Sequence, residues 1–361
     1  MTTSQTRRAC IVIGGGDAPG VNAVVRGFVH AARRRGIELV GCHDGFEGFL
    51  AQGGLRALDV PDVRGVLPRG GCFLGCSTRV NPFFAPGADG GAPEDRGHEV
   101  VQRLRDAGVD ALVLVGGDGT MLAAARFAER GMPTVGVAKT IDGDVSGADV
   151  TVGFDTAVAT ATHALDSLHA TAEAHARVMV VEVMGRHAGW LALAAGTAGG
   201  ADVILLPELP YRLERVVAKI REREALGLRF SIVVVAEGAH PVAEEVAMIE
   251  APRPGHLARL GGAGQRLADA LVQTELGHEV RLTVLGHLQR GGSPTAFDRT
   301  LGTRLGAHAA ELCALGSFGR MATLKDGKVG SVPFAEVHNK PVDLGGSLVA
   351  AARDVGIELG G

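Results

Sequence analysis

One pattern recurs along this chain and limits its fold more than any other feature: a short apolar run, then glycine, then a helical pattern. The hydrophobicity of the runs is continuous rather than alternating, which is typical of strands covered on both faces. The sequence therefore predicts an α/β protein with mainly parallel sheets flanked by helices. The predicted strands are 9–13, 38–42, 111–115, 134–137, 178–183, 203–206, 231–236 and 282–285, and the predicted helices are 21–35, 120–130, 156–173, 213–225, 263–274 and 295–315.

Length, charge and cysteine content exclude several classes of protein. A chain of 361 residues suggests two domains at ~100 to 200 residues per domain. Lys+Arg 36 against Asp+Glu 40 gives a net charge of -4, so we expect no nucleic-acid partner. No apolar run approaches the length of a membrane span, and we expect no membrane association. Of the five cysteines only Cys72 and Cys76 lie close together, so we expect a reduced, cytoplasmic protein, and this pair alone is a poor zinc signal.

Two segments interrupt the alternation of strands and helices. Residues 143–155 contain no strand or helix pattern and are the best candidate for a hinge between domains. Residues 241–262 carry little periodicity and are longer than most connections, which indicates a surface insertion or lid.

Glycine-rich segments follow two of the predicted strands. Ligands of parallel α/β sheets bind beyond the carboxyl ends of the strands, so these positions are informative. GGGDAPG at 14–20 and GGDGT at 116–120 each open a helix, where free N–H groups suit a phosphate and Asp118 could hold Mg²⁺. A tight turn without a ligand is the alternative. Neither segment matches the phosphate-binding loop that ends in Gly-Lys-Ser/Thr, and neither has the dinucleotide-binding spacing.

Charged side chains follow the other predicted strands. Lys139, Asp142 and Asp144 follow one strand and could supply a base for a sugar hydroxyl and a charge partner for metal or phosphate. Arginines, a histidine and a glutamate at later strand ends describe a site for a phosphorylated, hydroxyl-bearing substrate. These residues are Arg186, Glu237, His287 and Arg290. A solvated acidic turn and structural salt bridges are the alternatives.

Two arginines lie at the opposite ends of their strands. Arg177 precedes the run at 178–183, and Arg281 precedes the run at 282–285. About six residues at ~3.3 Å each place them roughly 20 Å from a ligand beyond their own strands. Functional roles for these arginines would therefore require a site shared with a second subunit, and plain surface solvation is the alternative.

Six segments together resemble the phosphofructokinase A family. They are GGGDAPGVN, RGGCFLGCSTRVNPF, GGDGT, KTIDGD, HARVMVVEVMGRHAGW and TVLGHLQRGGSPTAFDR, in the order and spacing of that family. The resemblance covers nearly the whole chain. It implies two Rossmann-like domains with the active site in the cleft between them, and Mg²⁺-dependent phosphoryl transfer to the 1-hydroxyl of fructose 6-phosphate. It also implies a phosphoryl-donor domain of residues 1–153 plus 290–343 and a sugar-phosphate domain of residues 154–289 plus 344–361.

The resemblance assigns roles residue by residue. Asp142 matches the catalytic base, assisted by Thr140 and Arg186, and Asp118 matches the magnesium-linked residue. Arg177 and Arg281 match arginines donated by an adjacent subunit. The other sugar-phosphate positions are Thr140, Asp142, Met184, Gly185, Arg186, Glu237, His287 and Arg290, and the donor positions are Gly15, Arg79, Gly119, Thr120 and Lys139.

The phosphoryl donor is the main question that the resemblance leaves open. Gly119 is typical of ATP users, because an Asp there would fill the space of the α-phosphate and repel it. Lys139 is typical of pyrophosphate users, and this combination resembles the actinobacterial-type, mixed-substrate subgroup. We expect ATP, because exclusion at position 119 is decisive whereas an extra cation only assists. The alternatives are pyrophosphate as donor, another acceptor such as sedoheptulose 7-phosphate, suggested by Gly143 where the family has Asn, and a sugar-phosphate sensor without catalysis.

Overall fold

The computed structural model describes residues 6–85, 92–242, 244–250 and 259–361. The strands are β1 (Arg8–Ile13), β2 (Glu38–Cys42), β3 (Leu55–Ala57), β4 (Ala111–Gly116), β5 (Thr134–Thr140), β6 (Val152–Gly153), β7 (Val178–Val183), β8 (Val203–Leu205), β9 (Ser231–Ala236), β10 (Met248–Glu250), β11 (Arg259–Leu260), β12 (Val280–Val284), β13 (Arg320–Lys325) and β14 (Lys328–Pro333). The helices are α1 (Val21–Arg34), α2 (Glu47–Leu50), α3 (Gly97–Asp106), α4 (Asp118–Glu129), α5 (Phe154–His175), α6 (Trp190–Ala198), α7 (Leu213–Ala225), α8 (Ala263–Val272), α9 (Ala296–Ala314) and α10 (Ser347–Asp354).

The larger sheet has the strand order β14-β13-β5-β4-β1-β2-β3, with β6 paired to β5. Its five central strands are parallel, and β14 and β3 add antiparallel edges. Side chains of β1 alternate between two cores: Ile11 and Ile13 pack on one face, and Cys10 and Val12 pack on the other. Burial on both faces explains why this run is continuously apolar.

The smaller sheet has the order β12-β7-β9-β8, and all of its pairs are parallel. Strand β7 divides its side chains in the same way, with Val181 and Val183 in one core and Val178 and Val180 in the other. The predicted α/β class with mainly parallel sheets flanked by helices is confirmed.

The chain crosses between the sheets more than once. Helix α9 follows the smaller sheet but packs against α1 and the core of the larger one, which β13 and β14 then complete. Helix α10 returns to the smaller sheet, where Val349 and Ala352 are buried in its core. The predicted domains, 1–153 plus 290–343 and 154–289 plus 344–361, stay a prediction, and these two crossings support it.

The strand at 282–285 is shifted from its predicted position. Strand β12 begins at Val280, so Arg281 lies inside the strand, opposite Met179 of β7, rather than before it. The apolar signal of this strand is weak because β12 is an edge strand, and Arg281 and Val284 are exposed.

The segment 241–262 is described only in part. Its described residues include the antiparallel pair of β10 and β11, while residues 243 and 251–258 lie outside the described part. The prediction of a lid stays untested. No helix among the described residues is long and apolar enough to cross a membrane.

Candidate active site

The loops that follow β1 and β4 meet around the side chain of Thr120. The Gly14 N–H donates to the Val115 carbonyl over 2.9 Å, which joins the two strand ends. A Cβ atom on Gly14 would lie 2.6 Å from the Thr120 Oγ1 atom, and one on Gly116 would lie 2.2 Å from it. The close approach of these loops therefore requires glycine at both positions.

A cleft of about 360 Å³ opens beside these loops. Three of its lining residues, Gly15, Gly16 and Asp17, precede α1, and the others come from the segment after β3. That second group is Cys72, Cys76, Ser77 and Thr78. Backbone N–H groups at the start of a helix favour anions, so the cleft has the chemistry of a phosphate site.

Lys139 lies beneath this cleft and is only 4% exposed. Its ammonium donates hydrogen bonds to the carbonyls of Gly14, over 3.2 Å, and of Gly16. Burial lowers the pKa of Lys139, with a further lowering from the charge of Arg290. The lysine therefore stabilises the conformation of the glycine-rich loop through these two hydrogen bonds.

Three carboxylates gather where β4 and β5 end. Burial raises the pKa of Asp142, and the charge of Asp118 adds to this effect. Burial and the same carboxylates raise the pKa of Asp144 to about 7. The Oδ1 atom of Asp142 is buried and has no hydrogen-bond partner among the described residues. This oxygen is free to accept a proton or a hydrogen bond from a ligand.

Arginines oppose the repulsion between these carboxylates. The charges of Arg290 and Arg186 act to lower the pKa of Asp142, against the effect of burial. Burial also raises the pKa of Glu237, an effect that Asp142 increases and Arg186 opposes. The Arg290 Nη1 atom donates to the Asp17 carbonyl over 3.1 Å, so this arginine joins the glycine-rich loop to the carboxylate cluster. Residues from both sheets thus share one site.

The loops after β7 and β9 hold the sugar-phosphate candidates close together. Gly185 and Gly238 are joined by a backbone hydrogen bond of 3.1 Å, and the Glu237 N–H donates to Val183 over 2.9 Å. Met184 packs against the small core that contains Ile141, the neighbour of the candidate base. The exposed His287 lies in a short 3-10 helix, Gly286–Arg290, beyond the end of β12.

Gly143 has a backbone conformation that explains its identity. Its φ of +68° lies in the left-handed region, which glycine adopts freely and asparagine adopts more readily than other residues. A Cβ at this position would lie 2.9 Å from the Phe154 ring. The change from the Asn of the family pattern therefore preserves the turn and removes one polar side chain beside Asp142.

Three predicted arginines lie away from this cluster. Arg79 is exposed, and its Nε atom pairs with Glu47 over 3.1 Å. Arg177 and Arg281 both form ion pairs with the exposed Glu279, at the amino-terminal ends of β7 and β12. The structure thus brings Arg177 and Arg281 together, but at the amino-terminal ends of their strands, opposite to the carboxyl ends where the other candidates lie.

Several residues of the site had only a weak signal in the sequence, or none. Asp144 follows Asp142 by two residues, and the sequence indicates for it only a charge partner to metal or phosphate. Asp17, Cys72 and Cys76 line the cleft, and the only sequence signal for the cysteines is their close spacing. Their place depends on how the segment after β3 folds over the glycine-rich loop, which no local pattern encodes.

Comparisons with known proteins agree with this arrangement. A sequence model of the family described as Phosphofructokinase matches residues 8–313, most of the chain. This chain belongs to the phosphofructokinase family. The family expected from the six motifs is confirmed.

Relatives within the phosphofructokinase family extend over the whole chain. The protein named ATP-dependent 6-phosphofructokinase from Chloroflexus aggregans is 46% identical, over 99% of this chain and 99% of its own length. The T-state structure of Pichia pastoris phosphofructokinase is 30% identical, covers 98% of this chain and 37% of its own, and has a TM-score of 0.77. A pyrophosphate-dependent phosphofructokinase from Marinobacter aquaeolei has a TM-score of 0.79 at 21% identity, over 98% of this chain and 88% of its own, a likeness of fold alone.

Proposed function

We propose that this chain is a 6-phosphofructokinase, a phosphotransferase that moves the γ-phosphoryl group of ATP to the 1-hydroxyl of fructose 6-phosphate with the help of Mg²⁺. The observation that carries the proposal is the Asp142 carboxylate, whose buried Oδ1 atom has no partner among the described residues and lies among two arginines and the glycine-rich loops. The name of the Chloroflexus relative supports the same assignment.

The proposed chemistry begins with the sugar hydroxyl. Asp142 accepts the proton of the 1-hydroxyl while the hydroxyl oxygen attacks the γ-phosphorus of ATP. The bond from that phosphorus to the bridging oxygen breaks, and ADP leaves. Thr140 holds the turn by accepting a hydrogen bond of 3.1 Å from the Asp142 N–H. The raised pKa of Asp142 makes its carboxylate a stronger base than an exposed one. Arg186, beside the base, offsets the negative charge that develops during transfer.

The carboxylates fit a role for Mg²⁺. No group of three His, Cys, Asp or Glu side chains in the described ranges forms a metal cage by itself. Mg²⁺ usually keeps several waters and binds one or two carboxylates together with substrate phosphates, which suits the exposed Asp118 at the start of α4. The excess negative charge of Asp118, Asp142 and Asp144 would attract it there, where it would neutralise charge on the transferred phosphoryl group.

ATP is the proposed donor for two structural reasons. Apart from the chain neighbours of Gly119 and the backbone of its own helix, no atom of the described residues lies within 4 Å of a Cβ built on Gly119, so the start of α4 leaves open space for a nucleotide phosphate. The second reason concerns Lys139, the residue typical of pyrophosphate users. Its ammonium is hydrogen-bonded to two loop carbonyls, so it is less available to neutralise a pyrophosphate. Gly15, Thr120 and Lys139 would then shape the donor site, with Arg79 swinging from Glu47 to the γ-phosphate.

Sugar-phosphate binding is proposed for residues of the smaller sheet. Arg186, His287 and Arg290 supply donors for phosphate and hydroxyl groups, Glu237 accepts from a hydroxyl, and Met184 and Gly185 shape the wall. We propose that Arg177 and Arg281 complete the site of a neighbouring copy. The exposed apolar side chains of Val284, at the end of the edge strand β12, and of Leu288, just beyond it, support self-association. A cytoplasmic location follows from the two proposed substrates, which are cytoplasmic metabolites.

Product formation with two donors in parallel tests this proposal. Purified protein is given fructose 6-phosphate and Mg²⁺ with either ATP or pyrophosphate, and fructose 1,6-bisphosphate is measured. We expect turnover with ATP and far less with pyrophosphate. Turnover with pyrophosphate alone would reverse the assignment of the donor. A parallel reaction with sedoheptulose 7-phosphate tests whether the missing side chain at Gly143 changes the acceptor, and no product with any pair would favour a sensor.

A further inference from the structure

Two cysteines face the same cleft from a single tight turn. The Gly75 N–H donates to the Cys72 carbonyl over 3.0 Å, and this turn folds Cys76 back over Cys72. The Cys72 Sγ atom donates to the Gly75 carbonyl over 3.4 Å, and the two thiols lie close enough for each to shift the pKa of the other. Both line the cleft with Gly15, Gly16 and Asp17 and are partly exposed. The pair therefore lies where small solutes can reach it.

The charges around the pair favour one thiolate. The neighbouring Cys72 thiol lowers the pKa of Cys76, and the ammonium of Lys139 lowers it further, against the effect of burial. The Cys76 thiol in turn raises the pKa of Cys72. The other three cysteines are buried, and burial raises the pKa of each, that of Cys313 to about 12. Because the thiolate is the reactive form, Cys76 is the cysteine that these charges favour for reaction.

We infer that Cys72 and Cys76 form an oxidisable pair that reacts with hydroperoxides, and that the resulting disulfide weakens binding of the phosphoryl donor in the adjoining cleft. The pair itself rests on the geometry of the turn. Its effect on the donor rests on the proposed function.

The reaction balances with a hydroperoxide as the oxidant. The Cys76 thiolate attacks the O–O bond, so that an S–O bond forms, the O–O bond breaks, and the leaving oxygen takes a proton to become water or an alcohol. The Cys72 sulfur then attacks the sulfur of the Cys76 sulfenic acid. The S–S bond forms, the S–O bond breaks, and water leaves with the thiol proton. Two electrons pass from the sulfurs to the peroxide.

Disulfide formation would change the shape of the cleft. An S–S bond of about 2.05 Å is shorter than any non-bonded contact between two sulfur atoms, so the turn must tighten. Ser77, the residue after Cys76, lines the cleft and forms a parallel β-bridge with Gly14. A shift of Ser77 would therefore also move the glycine-rich loop. Once oxidised, Cys76 can no longer carry a negative charge beside Lys139. We expect the KM for ATP to rise roughly 5-fold or more, within the usual range for coupled sites.

The test uses the full chain, reduced and then exposed to hydrogen peroxide. Trypsin cleaves after Arg69 and Arg79, so both cysteines fall in the single peptide 70–79, whose mass reports the loss of two hydrogens. Peptides carrying Cys10, Cys42 and Cys313 serve as internal controls. The KM for ATP is measured before oxidation, after it, and after reduction with dithiothreitol.

Three variants separate the steps, and each is compared with its own reduced form. Cys72→Ser should accumulate a sulfenic acid at Cys76 that a 1,3-diketone traps. Cys76→Ser should lose rapid oxidation of the peptide. Cys42→Ser is the matched control, because that thiol is buried and donates to the Gly45 carbonyl over 3.3 Å, and it should keep both the disulfide and the change in KM.

Two results would overturn the inference. One is oxidation of peptide 70–79 no faster than that of the buried cysteines, and the other is a disulfide that leaves the KM for ATP unchanged. The mass measurement does not depend on catalysis. A reduced protein that forms no product would therefore count against the proposed function, while the peptide mass would still decide whether the pair is oxidisable.

Discussion

Replacing Gly119 by aspartate tests directly how this protein selects its donor. Gly119 is exposed in the first turn of α4, and apart from its chain neighbours and the backbone of that helix no atom of the described residues lies within 4 Å of a Cβ built there. The aspartate side chain therefore enters open space without displacing the fold. A negative side chain in the first turn of a helix also interacts favourably with the helix dipole. We expect the variant to fold with an unchanged or slightly higher Tm.

The size of the effect follows from charge repulsion. A carboxylate about 4 Å from a phosphate oxygen costs about 4 kcal/mol at an effective dielectric constant of ~20, and about 1 kcal/mol in bulk water. The exposure of Gly119 places the site between these limits, at about 2 to 3 kcal/mol. Since 1.36 kcal/mol is tenfold in rate, kcat/KM for ATP should fall roughly 30- to 150-fold.

Two further variants separate charge from volume. Gly119→Asn has nearly the same shape as Gly119→Asp without its charge, and Gly119→Ala adds only a methyl group to open space. Initial rates with varied ATP at saturating Mg²⁺ and fructose 6-phosphate give kcat/KM for each protein. We expect the alanine variant to stay within about threefold of the parent and the asparagine variant to lie between the two.

One result would refute this reasoning. If Gly119→Asp keeps kcat/KM for ATP within threefold of the parent while its Tm is unchanged, position 119 does not face the donor phosphates. A fall of equal size in Gly119→Asn would assign the effect to volume rather than charge.

Four other predictions follow from the carboxylate cluster and from Arg281. Asp142→Asn should lower kcat by roughly 10² to 10⁴, and an unchanged kcat would reject its role as base. Because burial raises the pKa of Asp142 and the ionised form is active, kcat should fall on acidification with a midpoint above the usual range of an aspartate, as a pH profile would show. The pKa of Asp144 is raised from 3.8 to about 7. Its favourable contribution to the free energy of unfolding is therefore fully present below pH 3.8 and is lost as the pH rises through about 7. Asp144→Asn in Mg²⁺-free buffer should therefore raise the Tm by roughly 2 to 4 °C at pH 8 and leave it unchanged at pH 4, and an equal rise at both values would contradict the charge argument. Arg281→Ala should raise the KM for fructose 6-phosphate at least about tenfold. Mixed oligomers of Arg281→Ala and Asp142→Asn should regain activity, because one copy keeps the base and the other keeps the arginine. If activity is not restored, both residues belong to one subunit's site.

The sequence alone determined the elements that depend on neighbouring residues. Continuous apolar runs such as 9–13 and 178–183 predict buried parallel strands, because burial on both faces removes the alternation. The glycine-rich segments after β1 and β4 and the acidic turn after β5 could likewise be placed at strand ends, since a short motif is read within one strand-to-helix connection. The edge strand β12 was placed less accurately, because exposure weakens its apolar signal.

The tertiary structure decided which of these pieces meet. The ammonium of Lys139 braces a loop 125 residues earlier in the chain, a role that its place beside the acidic turn does not show. Cys72 and Cys76 enter the donor cleft only because their turn folds over that same loop, and Glu279 gathers Arg177 and Arg281 from separate strands. Local periodicity depends on the backbone geometry of a few adjacent residues. Contacts between distant segments depend instead on strand order and on side-chain hydrogen bonds across the assembled sheets, so only the folded chain specifies them.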